Sequence, residues 1–501
     1  MLDFQCYQTL AVQFIFALPV ILATYLVLYS KKGSAGRLPL PPSPFQIPVL
    51  GCLPFLNSRF PHLTFSKWAK SLGKIYSCRM GAQLVVVLND AQIIREAFAQ
   101  PVFNGRPDMY TARKTSNGYG ISFAPDNTWQ IHRKFAVKTF KMLGVGKNIM
   151  EEQIREEVER LITTISQFKG LPFCNKNIIR TAVGNVICAV LFGQRFTDNA
   201  ETTTTTQHFY DQMNAVFRFF GVAGILNIFP WLIIVPKVRE SFAKVIEALD
   251  CAGQYIKNVY ARHLETYDSN VTRDYTDAFI ASRLREKELY SAPRLFTDQQ
   301  YVAAARELFL TGYDTTSATL RWAFLYTASD PVVQEKLHKE IDTVVGRSRL
   351  PLWTDVNQMP YTQAVLHEVQ RISSIGPMGV PHRAIEATEL GGYFIPKDAW
   401  IFTNLWHVHR DSNTWMDGNS FIPERFLSAD GASIIIPKQF IPFSTGKRSC
   451  PGESLAKMEL FLVFASVLQN FSLSLEGELD LEPLNGITLD TKDYQMRAEA
   501  R

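Results

Sequence analysis

The sequence lacks the patterns that would assign its cysteines to disulfides or to a zinc site. The cysteines are odd in number, scattered, and contain no CxxC pair. Disulfide frameworks and zinc ribbons both need cysteines at regular spacings, so both classes are excluded. The seven are Cys6, Cys52, Cys78, Cys174, Cys188, Cys251 and Cys450. Most of them are expected to be small buried hydrophobic residues.

An excess of one charge is also missing. The 501 residues include 52 Lys and Arg against 47 Asp and Glu, a formal net charge of +5. That excess is too small to indicate nucleic acid as a partner. Hydrophobic residues make up 47% of the chain, which excludes a wholly disordered protein. After Pro44 no Gly/Ser linker or charged block divides the chain, so we expect one large domain.

The N-terminal region carries a long uncharged stretch, "LAVQFIFALPVILATYLVLY", from Leu10 to Tyr29. It meets the requirement of roughly 20 apolar residues for a helix that spans a bilayer. Three basic residues follow it and only Asp3 precedes it, so the rest of the chain is predicted to be cytoplasmic. A cleaved signal peptide would have a shorter apolar region and a basic start. A buried core helix is the remaining alternative.

The sequence therefore divides into three predicted parts. Residues 1–30 are interpreted as a transmembrane signal anchor, 31–45 as a Pro-rich linker, and 46–501 as one domain. Helical spacing predicts helices over 237–267, 298–329 and 331–345, and short strands are predicted at 84–90 and 390–396. The low-complexity segment "ETTTTTQ" (201–207) is predicted to be a loop. The fold class is mainly α with small β-sheets.

The segment "FSTGKRSCPGE" places Cys450 before a predicted helix. Pro451 suits the first helical position, so Cys450 is expected at a helix N-terminus, where the dipole favours a thiolate. A thiolate at this place is either a nucleophile or a metal ligand. Gly446 and Gly452 have no Cβ and would let the backbone approach a flat, bulky group.

The same segment contains the pattern F-x-x-G-x-R-x-C-x-G, from Phe443 to Gly452. This pattern resembles the haem-binding signature of the cytochrome P450 superfamily at every fixed position. The resemblance implies the cytochrome P450 fold, haem b as the cofactor, and Cys450 as the axial ligand of the haem iron. Arg448 would pair with a haem carboxylate, and Phe443 would shield the sulfur from water.

A second stretch, "LFLTGYDTTSATLRWAF", is helical by its flanks but rich in Gly and Thr. Threonine hydroxyls can bond back to carbonyls and bend a helix. The stretch resembles the family's oxygen-activating motif [AG]-G-x-[DE]-T-[TS]. This makes Asp314 and Thr315 the expected proton-relay pair, whereas Thr311 stands where Ala or Gly is usual.

Other predicted sites also depend on the resemblance. Glu368 and Arg371 in "HEVQR", with Arg425 in "FIPERF", are expected to form a buried ion network with a structural role. The haem propionates need cations, for which the resemblance implies four residues: Trp129, Arg133, His382 and Arg448. Trp129 and Arg133 lie at i and i+4 in "WQIHR", so they share one helical face.

The resemblance extends from about Pro39 to about Asp490 and is closest to the animal microsomal branch with drug-metabolising and steroid-hydroxylating members. It implies a monooxygenase of the endoplasmic-reticulum membrane that acts on lipophilic substrates. Electrons would come from NADPH through NADPH–cytochrome P450 reductase, with cytochrome b5 as a second candidate donor. The exposed side of "HRKFAVKTFKML", with Lys134, Lys138 and Lys141 in one stripe, is the expected reductase contact.

Two alternatives keep part of this interpretation. Some relatives rearrange lipid peroxides without a reductase, but those typically lose the acid–alcohol pair that Asp314 and Thr315 supply here. The other alternative is a non-catalytic haem- or sterol-binding membrane protein. Candidate substrate-facing segments are 110–123, 209–236, 309–315 and 375–380. The Phe-rich segment before Pro236 is either a pocket roof that dips into the membrane or plain core packing.

Overall fold

The computed structural model describes residues 38–145, 148–195, 224–290 and 294–501, together with 212, 215, 216 and 218–220. Its α-helices are α1 (Pro61–Leu72), α2 (Ala91–Ala99), α3 (Tyr110–Ser116), α4 (Asp126–Met142), α5 (Asn148–Ser166), α6 (Lys176–Phe192), α7 (Gly224–Ile228), α8 (Pro236–Glu265), α9 (Tyr275–Tyr290), α10 (Asp298–Ser329), α11 (Pro331–Val344), α12 (Pro360–Ser373), α13 (Leu405–Val408) and α14 (Glu453–Asn470). Short 3₁₀ helices lie at Leu53–Phe55, Pro101–Asn104, Pro230–Ile234, Trp353–Gln358 and Pro423–Phe426.

Three small sheets accompany the helices. Their strands are β1 (Ile75–Met80), β2 (Gln83–Leu88), β3 (Phe173–Cys174), β4 (His382–Arg383), β5 (Thr388–Leu390), β6 (Tyr393–Ile395), β7 (Trp400–Thr403), β8 (Phe471–Glu476) and β9 (Gln495–Ala500). The largest sheet has the order β1-β2-β7-β4, with β2 and β7 parallel and the other neighbours antiparallel. Its β4 strand carries His382. The mainly α prediction with small sheets is therefore confirmed.

The core is built around two long helices, α10 and α14. In α14 every residue from Met458 to Gln469 is buried, because the helix is apolar on nearly all sides. It packs against α10, which is buried from Thr316 to Ala328. The N-cap of α10 is Thr297, whose hydroxyl accepts from the Gln300 N–H. These two helices therefore form the buried centre of the domain. The candidate site adjoins them, because Asp314 and Thr315 lie on α10 and Cys450 precedes α14.

Most predicted elements match observed ones. The expected helices over 237–267, 298–329 and 331–345 correspond to α8, α10 and α11, and the expected strands correspond to β2 and the β5–β6 hairpin. The structure ends α10 at Ser329 because Asp330 caps the next helix and Pro331 opens it. The poly-Thr loop at 201–207 lies outside the described residues.

The predicted membrane anchor, residues 1–30, also lies outside the described residues. Among the helices that are described, none is long and apolar enough to cross a bilayer. The described end of the Pro-rich segment is attached to the largest sheet. Pro42 and Pro41 accept hydrogen bonds from the Ser77 N–H and hydroxyl at 2.7 and 2.9 Å, and Pro39 accepts from the Phe394 N–H at 2.9 Å. These bonds fix where the N-terminal segment leaves the domain.

Candidate functional site

The loop that carries Cys450 is closed by backbone hydrogen bonds. The Cys450 N–H donates to the carbonyl of Phe443 at 3.0 Å, and the Ser449 N–H donates to that of Gly446 at 3.1 Å. Gly446 has φ +78°, and a Cβ there would lie 2.3 Å from the carbonyl oxygen of Phe98. Both the left-handed backbone and the close approach require glycine at this position. Phe98 on α2 therefore sets the position of the loop.

The helix after Cys450 begins later than the sequence predicts. It starts at Glu453 with Gly452 as the N-cap, so Pro451 is not its first residue. The reason is that residues 451 and 452 complete the turn that closes the loop. The Gly452 N–H still points at the sulfur and lowers the Cys450 pKa, and a Cβ on Gly452 would lie 4.0 Å from Sγ.

The thiol of Cys450 is exposed, yet enough protein surrounds it for burial to raise its pKa. Glu453 raises the pKa further, whereas the Gly452 N–H and Arg133 lower it. The expectation that the helix N-terminus alone produces a thiolate is therefore wrong, because burial is the largest effect. A metal ion would supply the missing driving force, since a coordinating thiol loses its proton.

Two cationic side chains lie beside this loop. Arg133 donates to the hydroxyl of Ser449 at 3.2 Å, next to Cys450. The guanidinium of Arg448 lies 3.8 Å from the ring centre of Trp129, a cation–π contact. Trp129 and Arg133 both belong to α4, as the sequence spacing predicts. The structure thus brings Trp129 and Arg133 of α4 to the loop that carries both Arg448 and Cys450.

Arg448 is held by backbone carbonyls from a distant part of the chain. Its Nε, Nη1 and Nη2 donate to the carbonyls of Asn104, Ile121 and Ala124 at 3.1, 3.2 and 3.3 Å. Two of those carbonyls follow α3, where the partly buried Glu307 accepts from the N–H groups of Ile121 and Ser122. The orientation of Arg448 therefore depends on the segment that leads into α4.

His382 is buried and fully supported by its neighbours. Its ring stacks on Phe98 with centroids 3.9 Å apart, and its Nδ1 lies 2.7 Å from the carbonyl of Phe103. Burial lowers its pKa well below the usual value, so the ring is neutral, with the proton on Nδ1. The other nitrogen then accepts hydrogen bonds, so a carboxylate contact there needs a protonated ring or a bridging water.

Asp314 and Thr315 are neighbours on α10 but point to different partners. The Asp314 carboxyl accepts from the Thr488 hydroxyl, and burial raises its pKa to about 6, with Asp490 adding to the rise. Thr315 donates to the carbonyl of Thr311 at 2.8 Å, and Thr311 itself donates back to Glu307 at 2.8 Å. The threonine hydroxyls therefore bond back to carbonyls of the preceding turn, as predicted. The side chains of Asp314 and Thr315 form no direct hydrogen bond with each other.

The structure brings Glu368, Arg371 and Arg425 into one network. Arg371 grips both carboxylate oxygens of Glu368 at 2.6 Å, and both side chains are completely buried. Arg425 adds a bond to Glu368 at 3.2 Å. Arg371 also donates to the carbonyls of His409, Gly418 and Ser420, so it links α12 to the loop at 409–420.

Comparison with known proteins assigns the family. A family model described as "Cytochrome P450" matches residues 41–498. The chain belongs to the cytochrome P450 family. It is 34% identical to rat (Rattus norvegicus) "Cytochrome P450 2B15", over 95% of this chain and 96% of that protein. It is 35% identical to chicken (Gallus gallus) "Cytochrome P450 2H1", over 92% of this chain and 93% of that protein.

Membership makes the protein a cytochrome P450 monooxygenase, an oxidoreductase, and implies a haem iron and a redox partner that supplies electrons. Sequence reasoning missed several residues that hold the site together: Phe98, Glu307, Thr488 and the carbonyls that bind Arg448. Backbone carbonyls leave no signal in a sequence. Glu307 did leave a signal, because a carboxylate beside the apolar residues Leu308, Phe309 and Leu310 of a helix needs partners.

Proposed function

We propose that the protein inserts one oxygen atom of O₂ into a lipophilic organic substrate, namely a steroid, a fatty acid or a xenobiotic. The observation that carries the proposal is Cys450, an exposed thiol in a fixed loop of a chain in the cytochrome P450 family. The proposed electron source is NADPH, through NADPH–cytochrome P450 reductase, with cytochrome b5 as a second candidate donor.

The groups around Cys450 fit haem b. A thiol is a suitable axial donor for iron, and Gly452 places no side chain between the sulfur and a flat ligand. Arg133, Arg448 and Trp129 provide cationic and N–H donors for two carboxylates. When bound there, haem would supply the chemistry that activates O₂. Phe443, which is partly buried in the same loop, would limit water at the sulfur.

Asp314 and Thr315 are proposed to move protons. Because the Thr315 hydroxyl donates to the Thr311 carbonyl, its oxygen lone pairs can accept from a water molecule. A carboxyl with a pKa of about 6, as burial gives Asp314, exchanges protons readily near neutral pH. The two groups, about 100° apart around α10, would then serve one water chain. Glu368, Arg371 and Arg425 are proposed to keep the surrounding loops in place.

The location proposed for the protein is the endoplasmic-reticulum membrane, with one anchor in residues 1–30 and the catalytic domain in the cytoplasm. Exposed apolar side chains near the described N-terminal end support a membrane contact. Phe45 is 73% exposed, and Trp231 and Ile234 are 61% and 71% exposed. Gly81 lies between the two regions: its N–H donates to the carbonyl of Leu50 at 3.2 Å, and a Cβ on it would lie 2.8 Å from Ile228. Together they would rest on the bilayer.

A basic stripe on α4 supports a docking face for the reductase. Lys134, Lys138 and Lys141 are all exposed, while Arg133 on the neighbouring side of the same helix reaches Ser449. Complementary charge would speed encounter with an acidic partner and would weaken with salt. No nucleic-acid partner is proposed.

Substrate-dependent NADPH oxidation with added reductase tests this function. The monooxygenase proposal predicts that a steroid, fatty acid or planar aromatic panel contains compounds that shift the haem spin state, accelerate NADPH oxidation and gain one oxygen atom. A lipid-peroxide rearranging enzyme would turn over without NADPH. A non-catalytic binding protein would show spin shifts with no product. Either of those two results would overturn the proposal.

A further inference from the structure

A cavity of about 980 Å³ lies away from Cys450, between the end of α3, helices α8 and α9, and the first half of α10. Its described lining includes neither Cys450 nor Asp314. Arg306, which lines it, precedes Asp314 on α10 by about 12 Å of helix axis. The volume lies within the range of small-molecule sites, about 300–1,000 Å³. The cavity is therefore large enough for a ligand. Its lining excludes Cys450 and Asp314, although it shares residues 114–117 and 119 with the predicted substrate-facing segment 110–123.

The charges of this cavity are strongly biased. Five basic side chains line it against a single carboxylate, and the basic residues are Lys114, Lys257, Arg283, Lys287 and Arg306. The carboxylate is Asp298, which is already paired with Arg283. Arg283 also donates to the Tyr260 hydroxyl at 3.0 Å. The one negative charge of the cavity is thus neutralised from within.

None of the remaining four cations forms an ion pair with a carboxylate among the residues that the structure describes. Lys114, Lys257 and Lys287 are exposed, and Lys114 lies 5.9 Å from the ring centre of Tyr110. Arg306 is partly buried and donates only to neutral carbonyls, those of Thr115 at 2.5 Å and Leu249 at 3.3 Å. Asp250 and Glu307 attract this guanidinium electrostatically, but neither forms an ion pair with it. A solvated basic face would not enclose a guanidinium in this way, so its remaining N–H donors suit a bound anion.

Apolar side chains line the same cavity beside the cations. Leu264 and Leu284 are exposed, and Ile280 and Val302 continue the apolar wall. Exposed leucines next to cationic groups suit a ligand with an apolar body and a charged head. An inorganic anion would leave this apolar surface in water, so the fit is better for an amphipathic molecule.

We propose that this cavity binds an amphipathic monoanion, a carboxylate or a sulfate on an alkyl or ring body. The basic side chains hold the head, with Arg306 as the enclosed donor. The apolar body lies against Leu264, Leu284 and Val302. The site is a second ligand site, outside the oxidation reaction that the Cys450 side carries out.

Occupation of the cavity acts on a segment that reaches the Cys450 side. Arg306 donates to the carbonyl of Thr115. Gln300 exchanges hydrogen bonds with the backbone of Gly120 at 3.0 and 2.9 Å. Glu307 accepts from the N–H of Ile121. All three donors or acceptors are on α10, one wall of the cavity. A head group bound at Arg306 is therefore expected to slow amide hydrogen exchange across residues 115–122.

Calorimetric titration of the holoprotein with dodecanoate tests the proposal, with the iron side occupied by a tightly bound azole inhibitor. We expect one dodecanoate to bind in the presence of the azole and to slow exchange over 115–122. Dodecanol and dodecylammonium should bind at least about tenfold more weakly, because they lack the negative charge. Soluble dihexanoylphosphatidylglycerol distinguishes the source: tighter binding of it assigns a lipid headgroup, and tighter binding of dodecanoate assigns a free acid.

The double variant Lys257→Glu/Lys287→Glu should weaken dodecanoate binding about tenfold or more. The matched control is Lys67→Glu/Lys339→Glu, which reverses two exposed lysines outside the cavity and should leave the affinity unchanged. Loss of dodecanoate binding when the azole is present would overturn the proposal, because the acid would then occupy the iron side. Equal affinity in both double variants, or equal binding of dodecanol, would also overturn it.

Discussion

Replacing Glu368 with Gln should destabilise the protein through one buried charge. Arg371 now binds both oxygens of Glu368 at 2.6 Å, and neither side chain is accessible to water. Gln keeps the shape but removes the negative charge, and its amide N–H₂ faces the N–H donors of the guanidinium. The Ile422 N–H, which donates to the same carboxylate at 2.8 Å, also loses charge assistance.

The expected cost follows from the burial of the pair. Removing one partner of a buried ion pair costs about 3–5 kcal/mol, which raises the open population by about 100- to 5,000-fold. Proteolysis of the native holoprotein at low protease concentration measures this population, because cleavage then follows the opening equilibrium. Cleavage should begin in the loop at 409–420, whose carbonyls Arg371 holds.

Two further variants set the scale of that experiment. Arg425→Gln leaves the Glu368–Arg371 pair intact but removes the bonds of Arg425 to Glu368 and to the carbonyls of Met416 and Asp417. It should therefore raise cleavage by about tenfold or more. Glu240→Gln breaks an exposed i,i+4 pair with Lys244 and should change cleavage by no more than about twofold. If Glu368→Gln were cleaved at the Glu240→Gln rate, the network would not be holding this region together.

Three other predictions concern protons and electrons. Thr315→Ala should sustain NADPH use while product falls about tenfold and hydrogen peroxide rises; unchanged coupling would remove Thr315 from proton delivery. Burial raises the Asp314 pKa to about 6, so the folded state loses stability as pH rises through the window from about 4 to 6. In urea unfolding, this loss should amount to about 2–3 kcal/mol between pH 4 and 7.5, and Asp314→Asn should remove it. An unchanged pH profile in the variant would contradict this. Reversing Lys134, Lys138 and Lys141 to Glu should lower reductase-driven turnover about tenfold but not peroxide-driven turnover; equal losses in both assays would argue against docking there.

Local chemistry explains what the sequence could predict. The glycines, arginine and cysteine of the Cys450 segment are close together in the chain, so the sequence shows them as one pattern. Trp129 and Arg133 share a helical face because they are four residues apart. The ends of the long helices are marked by capping residues and prolines. Between α10 and α11, for example, Asp330 is the N-cap and Pro331 is the first residue of α11. Such features depend on neighbours in the chain, which a sequence displays directly.

Long-range contacts explain what the sequence could not predict. Phe98 fixes Gly446 and stacks on His382, although hundreds of residues separate them along the chain. Thr488 binds Asp314 from the C-terminal region, and its sequence context gives no sign of this. The start of α14 was misplaced because Pro451 suits either a helix or the turn before it. The contacts of Phe98 and Thr488 join residues far apart in the chain, which a sequence does not show.

The carbon monoxide difference spectrum of the reduced Cys450→His holoprotein tests the central claim most directly. The claim is that the Cys450 thiolate binds the haem iron, so this variant should lose the thiolate-type spectrum and turnover while retaining at most imidazole-type haem binding. The control is Cys251→Ser, which replaces another exposed free cysteine and should keep both. A thiolate-type spectrum with full turnover in Cys450→His would contradict the account.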